Sequence, residues 1–176
     1  MKSSLNFAHS LIVLAILALP GVADPVPQTQ LRFNAAAPGT WAADWTGVDG
    51  RTYFSQWSTD MVNWYYAPFI DFGDGEHSRG TASTSPKYFM RLRHGDFPGI
   101  TNLEEAQNAD LDGDGLSNVF EVTYGYNPFD AESTADGMDN AIDPDGDGMT
   151  NATENTKSLN PMAKDNPLLQ LVVNVD

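Results

Sequence analysis

Between Trp41 and Arg93 the side chains alternate in twos. Trp41, Ala43 and Trp45 face one way, and after Asp49-Gly50, Thr52, Phe54 and Gln56 alternate with Tyr53, Ser55 and Trp57. A period of two places successive side chains on opposite faces of a strand. Two such runs around Asp-Gly predict a β-hairpin, since that dipeptide tolerates φ > 0. Ser58-Thr59-Asp60 predicts the next turn and residues 62–70 the next strand. Residues 71–76 (DFGDGE) then read as a hairpin turn, and Tyr88, Met90 and Leu92 alternate with Phe89, Arg91 and Arg93. Short strands between turn signals predict a small antiparallel sandwich or half-barrel.

The pattern changes after Phe97-Pro98-Gly99, a linker signal. Beyond it the apolar positions are sparse: Leu103, Leu116, Val119, Phe120, Val122, Tyr124, Tyr126, Ile142 and Met149 are most of them. They suit short helices rather than a large core. The expected fold class is therefore mainly β with short helices: a small antiparallel β-sandwich-like module, then a module of loops and short helices.

At the N-terminus, Lys2 precedes a nine-residue apolar run at residues 11–19 (LIVLAILAL), which Pro20-Gly21-Val22-Ala23 breaks. The run is short for a bilayer span, and small residues follow it, so residues 1–23 read as a secretory signal. An uncleaved N-terminal anchor is the alternative. The organisation expected is signal 1–23, linker 24–30, aromatic β-module 31–96, acidic module 101–163 and a strand-like tail 164–176. In the tail, residues 168–175 (LLQLVVNV) would be aggregation-prone if left exposed.

Composition sharpens this division. Of 19 aromatic residues in the 176-residue chain, 14 lie between Phe33 and Phe97, all four tryptophans among them. Of 24 acidic residues, 14 lie between Thr101 and Thr156, where there is no Lys or Arg. The net charge of −15 opposes nucleic acid and anionic membrane surfaces, which require a basic footprint. Cysteine is absent, which excludes disulfides, thiolate zinc sites and thiol catalysis. An exported chain without disulfides must rely on packing or metal.

The acids are ordered. Asp110, Asp112, Asp114, Gly115, Asn118 and Glu121 fit D-x-[DN]-x-[DN]-G-x5-E, and Asp143, Asp145, Asp147, Gly148, Asn151 and Glu154 fit it again 33 residues later. The same shift maps Asn127-Pro128 onto Asn160-Pro161, so loop, short helix and Asn-Pro stop form an internal repeat. Calcium takes six to eight oxygens at about 2.3–2.6 Å, and alternate positions of a tight loop aim at one centre. Positions 1, 3 and 5 supply carboxylates. Leu116 and Met149 at position 7 supply backbone carbonyls, and Asn118 and Asn151 at position 9 bind directly or through water. Glu121 and Glu154 at position 12 close the site with two oxygens. Four carboxylates per loop repel one another without a divalent cation. Magnesium prefers fewer carboxylates and retained water, so two calcium ions are expected.

The loop Asp-Gly-Asp-Gly-Leu-Ser-Asn, followed by Glu and a short helix ending Gly-x-Asn-Pro, resembles the bacterial thrombospondin type 3 repeat. The resemblance spans Ala109 to Pro161. It implies EF-hand-like calcium binding in a secreted or surface protein, with the ligand roles falling on Asp110, Asp112, Asp114, Asn118 and Glu121, and on Asp143, Asp145, Asp147, Asn151 and Glu154. Two positions depart from expectation. Position 8 is polar (Ser117, Thr150), where paired EF-hands place an apolar coupling residue. Ser158 stands where the repeat predicts glycine, so the second helix is expected to end less cleanly. A paired sensor-type EF-hand is therefore not expected.

The preceding module resembles, more loosely, small β-modules of secreted bacterial proteins, through Trp45, Gly47, Gly50, Thr52, Tyr53, Ser58, Asp60, Trp64, Phe89, Arg91 and Leu92. That resemblance implies an extracellular scaffold without activity.

Glu132, Thr134 and Asp136 to Asn140 form a half-motif, read as an acidic loop with a third ion as the alternative. No nucleophile, phosphate-loop or dinucleotide pattern is present, so no enzyme is expected. The functional expectation is a secreted, extracellular or cell-surface calcium-binding structural, adhesion or spacer protein, with the periplasm as alternative location. Its partners would be calcium and an extracellular protein or glycan, without nucleic acid or stable membrane insertion after signal cleavage. Two alternatives remain. One is a carbohydrate-binding module using Trp41, Trp57, Trp64 or Tyr66 as a stacking platform rather than as core. The other is a dockerin-like docking module, whose loops usually close with Asp.

Overall fold

The computed structural model describes residues 30–33, 40–73, 75–82 and 87–165. The signal, most of the linker, the tail from residue 166 and the side chain of Trp41 lie outside the described residues. The chain forms two compact units that divide between Ala106 and Gln107.

The first unit is two three-stranded antiparallel sheets. Strands β1 (Gln30–Phe33), β2 (Thr40–Thr46) and β5 (Glu76–Ala82) make one, in the order β1-β2-β5. Strands β3 (Arg51–Ser58), β4 (Tyr65–Phe72) and β6 (Phe89–Asp96) make the other, in the order β4-β3-β6. Mainly β with short helices is therefore the architecture, and α1 (Leu103–Asn108) is short.

The expected hairpin at Asp49-Gly50 is not formed: β2 pairs with β1 and β5, and β3 with β4 and β6. The Arg51 amide does close a turn on the Val48 carbonyl at 3.1 Å, and Gly50 takes φ +82°. Asp49, however, is not among the residues with positive φ. A hairpin turn of the primed type needs φ > 0 at both central positions, whereas a turn with only the second left-handed splays the strands. The chain thus crosses from one sheet to the other.

The hairpin expected between β4 and β5 is not formed either, because these strands belong to different sheets and the chain crosses a second time between them. The two crossings touch. Gly47 donates to the Gly75 carbonyl and Gly73 to the Arg51 carbonyl, each at 2.7 Å. A Cβ at Gly73 would lie 1.9 Å from the Val48 carbonyl oxygen, so no other residue fits there without displacing backbone.

Between the sheets, Arg79 of β5 grips the buried Asp71 of β4 in a bidentate pair, Nε and Nη2 each donating to one carboxylate oxygen. Buried apolar residues come from both sheets: Ala43 and Trp45, then Tyr53, Phe54, Ile70 and Phe72. Strand β3 is central and buried on both faces except at Trp57, so its polar residues Thr52, Ser55 and Gln56 are buried as well. The turn at Ser58-Asp60 forms as expected. Ser58 Oγ accepts from the amides of Asp60 and Met61, and Asp60 accepts from those of Val62 and Asn63. This network delays the start of β4 to Tyr65.

The second unit holds α2 (Asn118–Tyr124) and α3 (Asn151–Lys157). Its apolar cluster is Leu116, Phe120 and Tyr126, with Tyr124 and Ile142 against it. Phe120 and Tyr126 stack in parallel, their centroids 6.5 Å apart. Helices of two turns do not persist alone in water; about 12–15 residues are needed. This core is too small to explain their order.

Candidate metal centre

Each acidic loop is folded by its own aspartates. In the first, Asp110 accepts from the amides of Gly113 (2.7 Å) and Gly115 (2.8 Å), Asp112 from Asp114 (3.2 Å), and Asp114 from Leu116 (2.7 Å). The second repeats this 33 residues on: Asp143 accepts from Gly146 and Gly148 (both 2.9 Å), Asp145 from Asp147 (3.1 Å), and Asp147 from Met149 (2.8 Å). Gly115 and Gly148 at position 6 adopt φ +96° and +95°, the left-handed turn that a Cβ would disfavour. The Asn118 amide bonds to Ala109, and its counterpart Asn151 to Ile142, drawing the end of each loop back to its start.

At position 1 both carboxylate oxygens of Asp110 and Asp143 accept loop amides, whereas Asp112, Asp114 and Asp145 each keep one oxygen without a hydrogen-bond partner. Asp110, Asp112 and Asp114 each offer an oxygen within 4.8 Å of the others, and so do Asp143, Asp145 and Asp147. Among the described residues, these are the groups whose spacing suits a metal ion. Position 12 completes each. Glu121 and Glu154 stand on the first turns of α2 and α3, are fully buried, and leave both carboxylate oxygens without a hydrogen-bond partner. Asp112 Oδ2 and Asp114 Oδ2 in the first loop, and Asp145 Oδ2 and Asn151 Oδ1 in the second, are likewise buried and unpartnered.

A buried carboxylate without a partner is costly. Four unpartnered oxygens per loop fit a hard cation, whose charge and coordination would satisfy them together. Burial pushes Glu121 up to about 9, with the charges of Asp112, Asp114, Asp110 and Asp139 adding to it. Burial also raises Glu154 to about 7, with Asp145, Asp147, Asp165 and Asp143 contributing, and Asp112 to about 6.

The remaining expected ligands are placed as follows. Leu116 is a buried core residue and Met149 is half-buried, its sulfur near Lys157 Nζ at 3.8 Å. Asn118 is buried, with its side-chain oxygen accepting from the Leu111 amide at 3.2 Å. Asn151 donates to the Asp139 carbonyl at 2.6 Å, and its amide also lies in hydrogen-bond reach of the Tyr126 hydroxyl.

In the half-motif, Asp136 is exposed and Thr134 pairs with Gly137 in an isolated bridge. Asp139 is buried and accepts from the Ser133 amide and hydroxyl. Two residues outside both motifs join the acidic centres: Asp139, and Asp165, whose Oδ2 is buried and unpartnered. Neither has motif spacing, and only the folded chain brings them in.

Of the aromatic residues named as a platform, Trp57, Trp64 and Tyr66 contact other side chains of the protein. Trp57 lies against Tyr65 and Tyr88 at 4.9 and 6.1 Å, Trp64 lies under the Arg91 guanidinium at 4.0 Å, and the Tyr66 hydroxyl accepts from Arg93 at 2.7 Å.

Loop, position-12 glutamate and short helix, repeated in register, define a tandem of EF-hand-like acidic loops whose side chains could hold a metal ion. The family model described as Bacterial TSP3 repeat matches residues 110–131 and 143–157, in agreement with the resemblance read from the loop residues. No curated protein and no solved structure matches the chain. Among the described residues, no helix is long and apolar enough to cross a membrane.

Proposed function

We propose that the acidic repeats bind two calcium ions, one per loop, and that the ions serve as structural components of a secreted, non-catalytic structural, adhesion or spacer protein. The observation that carries this reading is the set of buried, unpartnered oxygens on the motif residues, four in each loop. They are buried, and among the described residues no hydrogen-bond donor meets them, so a cation is the species that would complete them. Crowded carboxylates favour calcium over magnesium, which keeps several waters and uses one or two carboxylates. Extracellular modules hold calcium at roughly 10⁻⁴–10⁻³ M, which a calcium-rich exterior saturates. An ion that is always present orders the chain and does not signal.

Calorimetric titration of the calcium-stripped protein is expected to give two ions per chain, and zero overturns the reading. Because the core of the second unit is so small, chelator is expected to remove the signal of α2 and α3 from the circular dichroism while leaving the β signal. A spectrum unchanged by chelator removes the structural role.

A further inference from the structure

The two loops superpose in sequence but differ at position 5. In the first, Asp114 binds the Leu116 amide through Oδ1 and leaves Oδ2 buried and unpartnered. In the second, Asp147 binds the Met149 amide through Oδ1, but its Oδ2 accepts the backbone amide of Asp165 at 2.9 Å. Both oxygens of Asp147 are thus engaged. The buried, unpartnered oxygen that the first loop has on position 5 is found in the second on Asp165 Oδ2.

Asp165 reaches the loop because the chain turns back after α3. Asn160 caps the turn, accepting the Met162 amide on its side chain and the Ala163 amide on its carbonyl, each at 3.0 Å. Lys164 Nζ then binds the Gly146 carbonyl at 3.2 Å, and Asp165 follows. The charge of Asp165 acts on Glu154 together with those of Asp145, Asp147 and Asp143. The first loop has no counterpart by the repeat. Its equivalent residue is Glu132, whose amide binds Asp130 at 3.3 Å and whose carboxylate oxygens are not among the buried unpartnered atoms.

We propose that Asp165 is an additional ligand of the ion in the second loop, taking over the free oxygen of position 5, so that loading this loop fastens the segment after α3 onto it. The proposal rests on the calcium reading above. A fifth carboxylate turns a loop-and-helix site into one that also grips the chain leaving the repeat. Nothing in the 12-residue motif announces this, because Asp165 lies beyond it.

The test compares the full chain with D165N by calcium calorimetry, and follows amide exchange of residues 160–165 with and without calcium. One of the two ions is expected to weaken by about 10-fold or more in D165N, the order of loss typical for a group supporting a metal site, while the other keeps its affinity. That second affinity also reports that the variant folds. In the parent protein, calcium is expected to slow exchange at residues 160–165, a readout independent of the variant. Two ions bound with both affinities within twofold of the parent overturn the Asp165 assignment alone, as does the lack of calcium-dependent protection at 160–165. No ion bound by the parent removes the underlying reading instead. E132Q serves as the matched control and is expected to change neither affinity.

Discussion

Glu121 and Glu154 hold opposed demands: burial asks for the acid form and a cation asks for the carboxylate. Their pKa values in the calcium-free fold, about 9 and about 7, lie above the ordinary 4.5. The calcium-free fold therefore binds protons that the unfolded chain has released. Stability without calcium is greatest below about 4.5 and falls as pH rises, until about 7 for Glu154 and about 9 for Glu121. Calcium affinity runs the other way, rising over the same interval as protons cease to compete. In chelator, more of the α2 and α3 signal in circular dichroism is expected to survive at pH 5.5 than at pH 8, whereas in saturating calcium the melting temperature is expected to be higher at pH 8; the same order in both would contradict this. E121Q separates the terms. It is expected to recover part of the helix signal lost in chelator at pH 8 while weakening one calcium ion by at least about 10-fold. Ser158 carries a smaller conflict. It occupies the left-handed cap of α3 at φ 56°, with its amide on the Asn155 and Glu154 carbonyls, where α2 has Gly125 at φ 88°. The second helix thus ends in the same way as the first, against the looser end expected, but on a residue whose Cβ resists that conformation. S158G is expected to stabilise the second unit by about 0.5–1 kcal/mol, measured by denaturant titration in calcium.

At the scale of elements, the polar residue at position 8 of the first loop acquires a reason. Ser117 is the N-cap of α2, its hydroxyl accepting from the Phe120 amide at 3.4 Å, whereas Thr150 at the N-cap of α3 makes no side-chain capping bond and lies 3.3 Å from the Thr153 hydroxyl. Ser117 also donates to Asn155 Oδ1 at 3.0 Å, and Asn155 Nδ2 donates to the Gly115 carbonyl at 3.3 Å. The apolar contact that couples ordinary EF-hands is replaced by an amide of α3 bonded to the first loop. The Tyr124 hydroxyl adds a bond to the Leu159 carbonyl at 3.4 Å. N155A is expected to cost about 1 kcal/mol of stability and to weaken the first ion through a residue outside that loop; unaltered binding at both sites would exclude such coupling. The loops were legible because ligand spacing is local: a carboxylate at every second position and a left-handed turn at position 6 are written in twelve consecutive residues. Asn155, Asp139 and Asp165 were not, since they arrive from separate segments. The strands were legible for a similar reason and their partners were not. The Asp-Gly signal marks a reversal of the chain, and the φ of Asp49 decides which sheet the next strand joins.

At the scale of the molecule, the net charge of −15 is concentrated: eight of the 24 acids belong to the two motifs. High salt or acid should therefore act chiefly on the second unit. The aromatic residues divide the other way, with every tryptophan before residue 65 and Tyr124 and Tyr126 in the second unit. Tryptophan emission is expected to stay constant through a calcium titration while far-ultraviolet ellipticity changes, and a scanning melt is expected to show one calcium-dependent and one calcium-independent transition. A single transition that moves as a whole with calcium would mean the units unfold together. The position of Tyr126 beside Asn151 has an optical consequence. A phenol ring next to a lanthanide-sized, oxygen-lined site is an antenna, and terbium emission excited through tyrosine should light the second loop with no dye attached to the chain.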